Sequence, residues 1–341
     1  MKWVFFAACA LLAGASPPMQ SSWSNNWRKQ NPVWRGIHII CSNDGDLKTI
    51  ADQLPALTGR GVNTLIIEVD YSFQYAKRPE MADPGGISKK VASEFAELCR
   101  KSGVRVIPQI NVLGHQSWEA ATGALLTKHP EFDETPGQYP GNKGIYCRSW
   151  CPQHPEVNKV VFDLVDELVD AFKADAFHVG MDEVFLIASE HCPRCKGGDP
   201  AKLFAKAVND FHRHIVLKRK LEMFMWGDRL LDGAKTGYGG WEASLNNTPP
   251  AIDMIPKDIV VCDWHYTKLD KYPSVEILAQ KGFRVWPSTW KDVAAAEAFS
   301  AYAKSLENNK VVGHLVTTWG AIPIKDLSAW DALVRPLAVW K

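Results

Sequence analysis

The residues best suited to chemistry stand together in one short segment, 178–183, which reads HVGMDE. In an extended strand alternate side chains share a face, so His178, Gly180 and Asp182 point the same way, and Glu183 follows where the strand ends. Mutual repulsion between adjacent carboxylates raises one pKa, which suits a general acid working near neutral pH. A bare Asp-Glu pair can also be a turn that caps the next helix. The preceding His-x-Gly favours the catalytic interpretation.

A catalytic segment needs a scaffold that brings strand ends together. From residue 34 onward the chain alternates eight β-rich apolar runs, at 34–40, 62–69, 104–112, 176–181, 222–226, 259–264, 284–287 and 312–318, with helical patterns at 46–57, 89–102, 155–174, 200–219, 274–280 and 293–307. Strands separated by helices indicate βαβ units and a parallel sheet. Eight units in a chain of this length predict the α/β class and a single (β/α)8 TIM barrel. No G-x-G-x-x-G follows the first run, which argues against a dinucleotide-binding sheet.

Polar and aromatic residues gather where the predicted strands end, which is where barrels of this kind build their active sites. In chain order they are Asp70, His115, Asp182, Glu183, Trp226, Asp228, Trp264, Tyr266, Trp290, Asp292 and Trp319. Because polar and aromatic residues follow so many of the predicted strands, they indicate one site.

These motifs resemble those of glycoside hydrolase family 20, the β-N-acetylhexosaminidases. Segment 178–183 is similar to the family's H-x-G-x-D-E signature. Weaker matches follow in the family's order, and they are Arg35-Gly36, segment 107–111 leading to Gly114-His115, Trp226-Gly227-Asp228, and Trp319. Together they cover essentially the whole chain from residue 34.

The resemblance implies hydrolysis of terminal N-acetylhexosamine residues, GlcNAc or GalNAc, by a retaining, substrate-assisted mechanism. In that mechanism the substrate's own acetamido oxygen attacks the anomeric carbon. Glu183 would protonate the leaving oxygen and then activate water. Asp182 would orient the acetamido N–H and stabilise the positive charge that develops on it. We expect neither a cofactor nor a catalytic metal.

The resemblance also implies a shell of residues that bind the sugar. Arg35 would bind ring hydroxyls, although a salt bridge at the barrel end is the alternative, and Asp70 and His115 would form a relay behind Glu183. The other expected members are His178, Trp226, Asp228, Trp264, Tyr266, Trp290, Asp292 and Trp319. Three of the tryptophans (Trp226, Trp264 and Trp319) would wall the acetamido pocket, and Tyr266 would offer its hydroxyl to the acetamido oxygen.

The sequence departs from the family at the eighth strand, where the frequent W-x-E reads Trp319-Gly320-Ala321 and a sugar-binding carboxylate is missing. This leaves the sugar and the linkage open. Two other functions remain. Another glycosidase acting on N-acetyl sugars, such as a chitinase, would show a D-x-x-D-x-D-x-E pattern, which is not found. A non-catalytic carbohydrate-binding barrel would not need both Asp182 and Glu183.

Composition and the amino-terminal residues narrow the class of protein. A net charge of +1 without a Lys/Arg cluster argues against a nucleic-acid partner, and 14 tryptophans suit a glycan partner as well as a core. A lysine, an apolar run and a small-x-small site predict a signal peptide over 1–15, followed by a leader or linker over 16–33 and the catalytic barrel over 34–341. We therefore expect export to the periplasm or the medium. No later stretch is apolar and long enough to predict a membrane span.

Seven cysteines follow the predicted signal peptide, and an odd number leaves at least one free thiol. Three lie in apolar segments that predict burial, and they are Cys41, Cys99 and Cys262. The pairs Cys147-x3-Cys151 and Cys192-x2-Cys195 lie in predicted loops. They could form disulfides, bind one zinc ion as four thiolates, or stay free. Export favours disulfides or free thiols over zinc.

Overall fold

The structure is a computed structural model that describes residues 19–341, and its centre is a closed barrel of eight parallel strands. The described residues form ten strands in all, which are β1 (Trp34–Ile40), β2 (Thr64–Glu68), β3 (Arg105–Val112), β4 (Ser117–Trp118), β5 (Ala121–Thr122), β6 (Ala176–Gly180), β7 (Glu222–Trp226), β8 (Val260–Trp264), β9 (Arg284–Thr289) and β10 (Gly313–Thr317). The short strands β4 and β5 form a hairpin outside the barrel, and β1 closes the barrel against β10. The predicted (β/α)8 architecture is confirmed.

Helices surround the barrel. They are α1 (Met19–Gln30), α2 (Asp44–Gly59), α3 (Lys89–Lys101), α4 (Ala124–Lys128), α5 (Val157–Ala171), α6 (Pro200–His212), α7 (Gly233–Thr236), α8 (Pro273–Gln280), α9 (Val293–Ser305) and α10 (Asp331–Ala338). The six predicted helices correspond to α2, α3, α5, α6, α8 and α9. Helix α6 continues into a wider π-helical turn at Arg213–Lys218.

Local sequence explains why these helices start and pack where they do. Asn43 caps α2 by accepting the N–H groups of Gly45 and Asp46, and Asp46 closes a capping box. Asp199 caps α6 in a similar way, and Pro200 occupies its first turn. Helix α2 then buries an apolar face against the outside of the barrel, and its buried residues are Leu47, Ile50, Leu54 and Leu57.

The inside of the barrel is a second apolar cluster that is rich in aromatic rings. The ring centroids of Trp34, Phe224 and Trp286 lie within 6 Å of one another in this cluster. Gly36 belongs to the same layer, and a Cβ at this position would lie 2.3 Å from the Trp286 ring. Because the large rings fill the interior, the barrel is a packed core and not a pore.

Buried ion pairs between side chains and helix α1 close the amino-terminal end of the barrel. The fully buried Arg105 guanidinium bonds to Asp175 at 2.8 Å and to Glu222 at 2.7 Å. Trp27 of α1 packs 6.0 Å from Trp34 and donates its indole N–H to Gly103 O. Helix α1 lies within the segment predicted as a leader or linker, and two tryptophans four residues apart, Trp23 and Trp27, give this polar segment an apolar side.

The signal peptide predicted over 1–15 lies outside the described residues. Among residues 19–341, no helix has the length and apolar character that crossing a bilayer requires.

Candidate active site

The backbone at the end of β6 adopts a conformation that explains the HVGMDE segment. Gly180, Met181 and Glu183 all have positive φ angles, of 65°, 68° and 48°. A Cβ on Gly180 would lie 2.1 Å from Asn111 Oδ1, so only glycine fits there. His178 accepts the N–H of Gly180 through Nδ1 at 3.0 Å, which stabilises the turn. Its ring is fully buried inside the barrel, 4.7 Å from that of Trp226. His178 therefore supports the turn from within the barrel.

This turn presents Asp182 and Glu183 to one face of His115. The His115 Nε2 atom lies 3.2 Å from Asp182 Oδ2 and 3.2 Å from Glu183 Oε2, although neither approach has the angle of a linear hydrogen bond. Burial opposes protonation of His115, but the two carboxylates outweigh it and raise its pKa well above the ordinary value. The imidazole thus offsets negative charge of the pair.

One carboxylate oxygen of the Asp182–Glu183 pair has no hydrogen-bond donor. Asp182 Oδ1 is buried and has no hydrogen-bond partner among the described residues. A buried carboxylate oxygen costs free energy when it lacks a donor. An N–H group of a bound molecule would remove that cost.

Asp228 supports Glu183 from behind. Its Oδ2 accepts the main-chain N–H of Glu183 at 2.9 Å and the Arg229 Nε–H at 2.6 Å. Its Oδ1 accepts the Trp264 indole N–H at 3.3 Å. Burial raises the pKa of Asp228 to about 6, against the opposing effect of Arg229. Asp228 is therefore a positioning residue that joins the catalytic turn to the aromatic wall.

The aromatic wall consists of Trp226, Trp264, Tyr266, Trp290 and Trp319. The Tyr266 ring lies 5.0 Å from Trp264 and 5.5 Å from Trp290, and the Trp319 indole N–H donates to the Tyr266 hydroxyl at 2.6 Å. Trp226 is fully buried and lies 5.7 Å from Trp319. The structure thus brings these five predicted residues together, with Trp226 at the base of the wall.

A network of buried polar side chains lies beneath the pair, and the sequence analysis assigned no role to most of it. Glu68 accepts from Gln109 at 2.6 Å and from Asn111 at 3.2 Å, and it lies 2.7 Å from His38 Nε2. Burial, with the nearby charge of Asp182, raises the pKa of Glu68 to about 8. Period-two alternation along β1, β2 and β3 could have identified these residues, because it turns them into the barrel.

Asp70 was expected to form a relay with His115. Instead its Oδ1 accepts the main-chain N–H of Asn111 at 2.7 Å, and no Asp70–His115 hydrogen bond occurs in the described part of the chain. Burial and the Glu68 charge raise the pKa of Asp70 to about 8. The expected relay is therefore wrong in its connectivity: His115 contacts the catalytic pair directly, and Asp70 holds the end of β3.

A cluster of aromatic residues that the sequence analysis missed forms a rim beside Glu183. Its members, Trp118, Tyr146, Phe185 and Trp241, are called the aromatic rim below. The Tyr146 ring lies 5.6 Å from Trp118, 5.8 Å from Phe185 and 5.0 Å from Trp241. Burial and the Glu183 carboxylate raise the pKa of Tyr146. Loop residues have no periodicity, so no pattern in the sequence placed them here.

Two predicted sugar ligands have other roles. Arg35 was expected to bind ring hydroxyls, but its guanidinium donates to Gly61 O at 2.7 Å and to Trp340 O at 3.3 Å. Arg35 is the second residue of β1, so it lies at the amino end of the barrel, away from the site, and that prediction is wrong. Asp292 is exposed and caps α9 by accepting the Ala295 N–H at 2.8 Å. Its carboxylate therefore has a structural role at the start of this helix.

A family model describing the catalytic domain of glycosyl hydrolase family 20 matches residues 38–338. The chain belongs to glycosyl hydrolase family 20. The segment 178–183 at the end of β6 lies within the matched residues.

Known relatives of this family 20 chain include a β-hexosaminidase of Akkermansia muciniphila, 32% identical over 118 residues, which are 33% of this chain and 22% of that protein. The chain thus matches about a fifth of the length of that curated relative. A chitobiase of Flavobacterium johnsoniae superposes with a TM-score of 0.64 at 17% identity, over 90% of this chain and 47% of that one. A β-N-acetylhexosaminidase of Bacteroides fragilis gives 0.62 at 15% identity, over 89% and 65%. These two structures share the fold.

Proposed function

We propose that this family 20 chain is a glycoside hydrolase that removes terminal β-linked N-acetylhexosamine residues from glycans or glycoconjugates. The observation that carries the proposal is the buried Asp182 Oδ1, which lacks a donor beside a Glu183 carboxyl group. An acetamido N–H is the donor that such substrates bring. The relatives named above as β-hexosaminidases support the same substrate class.

The proposed reaction is substrate-assisted and retains the anomeric configuration. The acetamido oxygen forms a bond to the anomeric carbon while the glycosidic C–O bond breaks, and Glu183 gives its proton to the leaving oxygen. Water then adds to the anomeric carbon, Glu183 takes a proton from it, and the acetamido oxygen leaves. Asp182 stabilises the positive charge on the acetamido nitrogen between the two steps.

The aromatic wall suits this chemistry. Its faces can hold the acetamido methyl group, and flat rings pack against the C–H faces of a pyranose. The Tyr266 hydroxyl accepts the Trp319 N–H, and because Thr317 gives its own hydrogen to Thr289 O, the Tyr266 hydroxyl donates to Thr317 Oγ1 at 3.4 Å. An acetamido oxygen would replace Thr317 as the acceptor of this long hydrogen bond.

The experiment is an assay of the purified protein on chromogenic N-acetylglucosaminide and N-acetylgalactosaminide, with NMR detection of the first anomer released. We expect hydrolysis of at least one substrate with the β-anomer appearing first. The α-anomer as first product would exclude retention. Binding of N-acetylhexosamine without turnover would instead favour the carbohydrate-binding barrel, and cleavage confined to the interior of chitin chains would favour another N-acetyl-sugar glycosidase.

A further inference from the structure

Three cysteines and one glutamate meet in a buried cluster outside the candidate active site. The members of this thiol cluster are Cys151, Cys192, Cys195 and Glu134, and their possible ligand atoms all lie within 4.8 Å of one another. Cys151 Sγ and Cys195 Sγ are 3.4 Å apart, and the Cys195 N–H donates to Cys192 Sγ at 3.4 Å. All four side chains are buried.

Glu134 provides a second, independent observation. Its Oε1 accepts the Ser189 N–H at 2.9 Å, whereas its Oε2 is buried and has no hydrogen-bond partner among the described residues. Leu203, Ile187 and Ala188 surround the thiols with apolar groups. A carboxylate oxygen in such surroundings is costly unless a cation or a donor satisfies it.

We propose that the thiol cluster binds one structural zinc ion through three thiolates and the Glu134 carboxylate. Zinc in structural sites takes four ligands in a tetrahedron, and Zn–S bonds of about 2.3 Å place sulfur atoms roughly 3.8 Å apart. The spacing within the cluster needs only small adjustments to reach that geometry. The Cys-x2-Cys spacing of Cys192 and Cys195 is typical of structural zinc sites.

The proposed ligand set differs from the four thiolates considered from the sequence. Cys147 does not belong to the cluster, because its thiol lies at the other site and donates to the Glu183 carbonyl oxygen at 3.7 Å. Glu134 takes its place. A disulfide would use only two of the three thiols, whereas one zinc ion would use all three and the Glu134 carboxylate.

The zinc would join two long loops that carry active-site residues. Glu134 and Cys151 lie in the loop between β3 and α5, which also carries Tyr146. Cys192 and Cys195 lie in the loop between β6 and α6, which also carries Glu183. A hydrogen bond from Gln153 to Arg194 O, at 2.8 Å, also links the two loops. The metal would thus fix the aromatic rim relative to Glu183, and this inference does not depend on the proposed substrate.

The test measures metal in the reduced full-length chain purified from zinc-supplemented cells. We expect about one zinc ion per chain, and a cobalt-substituted sample should show the charge-transfer absorption of a tetrahedral thiolate site. A chelator should lower the melting temperature of the wild type. Protein that has all thiols intact and binds neither zinc nor cobalt would overturn the proposal, as would a disulfide among the three cysteines in protein purified without reductant.

Variants identify the ligands. Cys192→Ser should lose the bound zinc, and Glu134→Gln should weaken zinc binding by at least tenfold. Cys99→Ser, which removes a buried thiol of α3, and Cys147→Ser should each keep one zinc ion per chain. If Cys147→Ser lost the metal and Glu134→Gln kept it, the four-thiolate set would replace the one proposed. If the ligand variants do not fold, the metal content of the wild type still decides whether zinc binds.

Discussion

The Asp228 carboxylate accepts the main-chain N–H of Glu183 at 2.9 Å and so holds the proposed proton donor by its backbone. The same carboxylate bonds to the buried Arg229 guanidinium at 2.6 Å. One side chain therefore orients Glu183 and neutralises a buried cation, and these two roles can be separated by experiment.

Asp228→Asn should lower the free energy of unfolding by about 3 kcal/mol, because breaking a buried ion pair leaves an uncompensated charge. It should also lower kcat, since a neutral amide oxygen holds the Glu183 main-chain N–H less strongly than the carboxylate does. Denaturant unfolding and kinetics measure the two effects. Asp170→Asn breaks an exposed pair with Arg219 and should cost about 1 kcal/mol or less. Equal losses in the two variants would contradict the role given to Asp228.

Glu183→Gln should remove most activity on substrates with poor leaving groups and much less on activated aryl glycosides. General acid catalysis is worth about 10²–10⁴-fold, and a good leaving group hardly needs it. Steady-state kinetics on both substrate types provide the comparison. Glu190→Gln, which changes an exposed glutamate of the same loop, should behave as the wild type. A loss of the same size on both substrates would rule out the acid role.

Asp182→Asn should weaken the binding of a thiazoline mimic of the cyclic intermediate more than the binding of the product sugar. The mimic places positive character on its ring nitrogen, opposite the Asp182 carboxylate, whereas the product amide is neutral. Inhibition constants for both ligands in both proteins measure the difference. A thiazoline that inhibits the wild type no better than the free sugar would be incompatible with an acetamido nucleophile.

Trp241→Ala should raise KM for an oligosaccharide about 2–10-fold, because ring stacking contributes roughly 0.5–1.5 kcal/mol. Trp241 is 54% exposed, so its loss should leave the melting temperature unchanged. Trp241→Phe keeps a ring and should restore most of the binding. An unchanged oligosaccharide KM in Trp241→Ala would remove the rim from the substrate path.

Stability should fall as pH rises from about 6.5 to 9, and part of this fall belongs to His265. Burial lowers its pKa, but Asp263 and Glu242 outweigh burial and raise it to about 9. A raised histidine pKa gives stability that is fully present below the unfolded value of about 6.5 and is lost as pH rises through the folded value. His265→Gln should therefore lose roughly 1–3 kcal/mol at pH 6 and much less at pH 10. Urea unfolding across this range tests it, and a pH-independent difference would show that the imidazole charge is not involved.

Much of the fold, and the position of the Asp182–Glu183 pair at the end of a barrel strand, could be predicted because their signals are local. Each barrel strand is a short apolar run between helical patterns. The HVGMDE segment combines a buried histidine, a glycine at a position where a Cβ would not fit, and the two acids. Residues of the aromatic wall such as Trp264 and Trp319 could be predicted because the carboxyl ends of the barrel strands meet at the same end of the barrel.

The features that could not be predicted depend on which end of a strand a residue occupies, or on contacts between residues that are far apart in the sequence. Arg35 was placed among the sugar ligands by resemblance to a family motif, whereas its position near the start of β1 puts it at the amino end of the barrel. Tyr146 reaches Glu183 from a long loop whose path no periodicity describes. Glu134 joins the thiol cluster across a loop boundary, so cysteine spacing alone suggested Cys147 in its place.

The positive φ angles of Met181 and Glu183 carry a consequence for protein engineering. A non-glycine residue in the left-handed region costs of order 1 kcal/mol or more, and here two such residues flank Asp182. Met181→Gly would relieve part of that strain and loosen the turn that aims both carboxylates. Selection for heat resistance alone would therefore favour changes at this turn that trade turnover for durability.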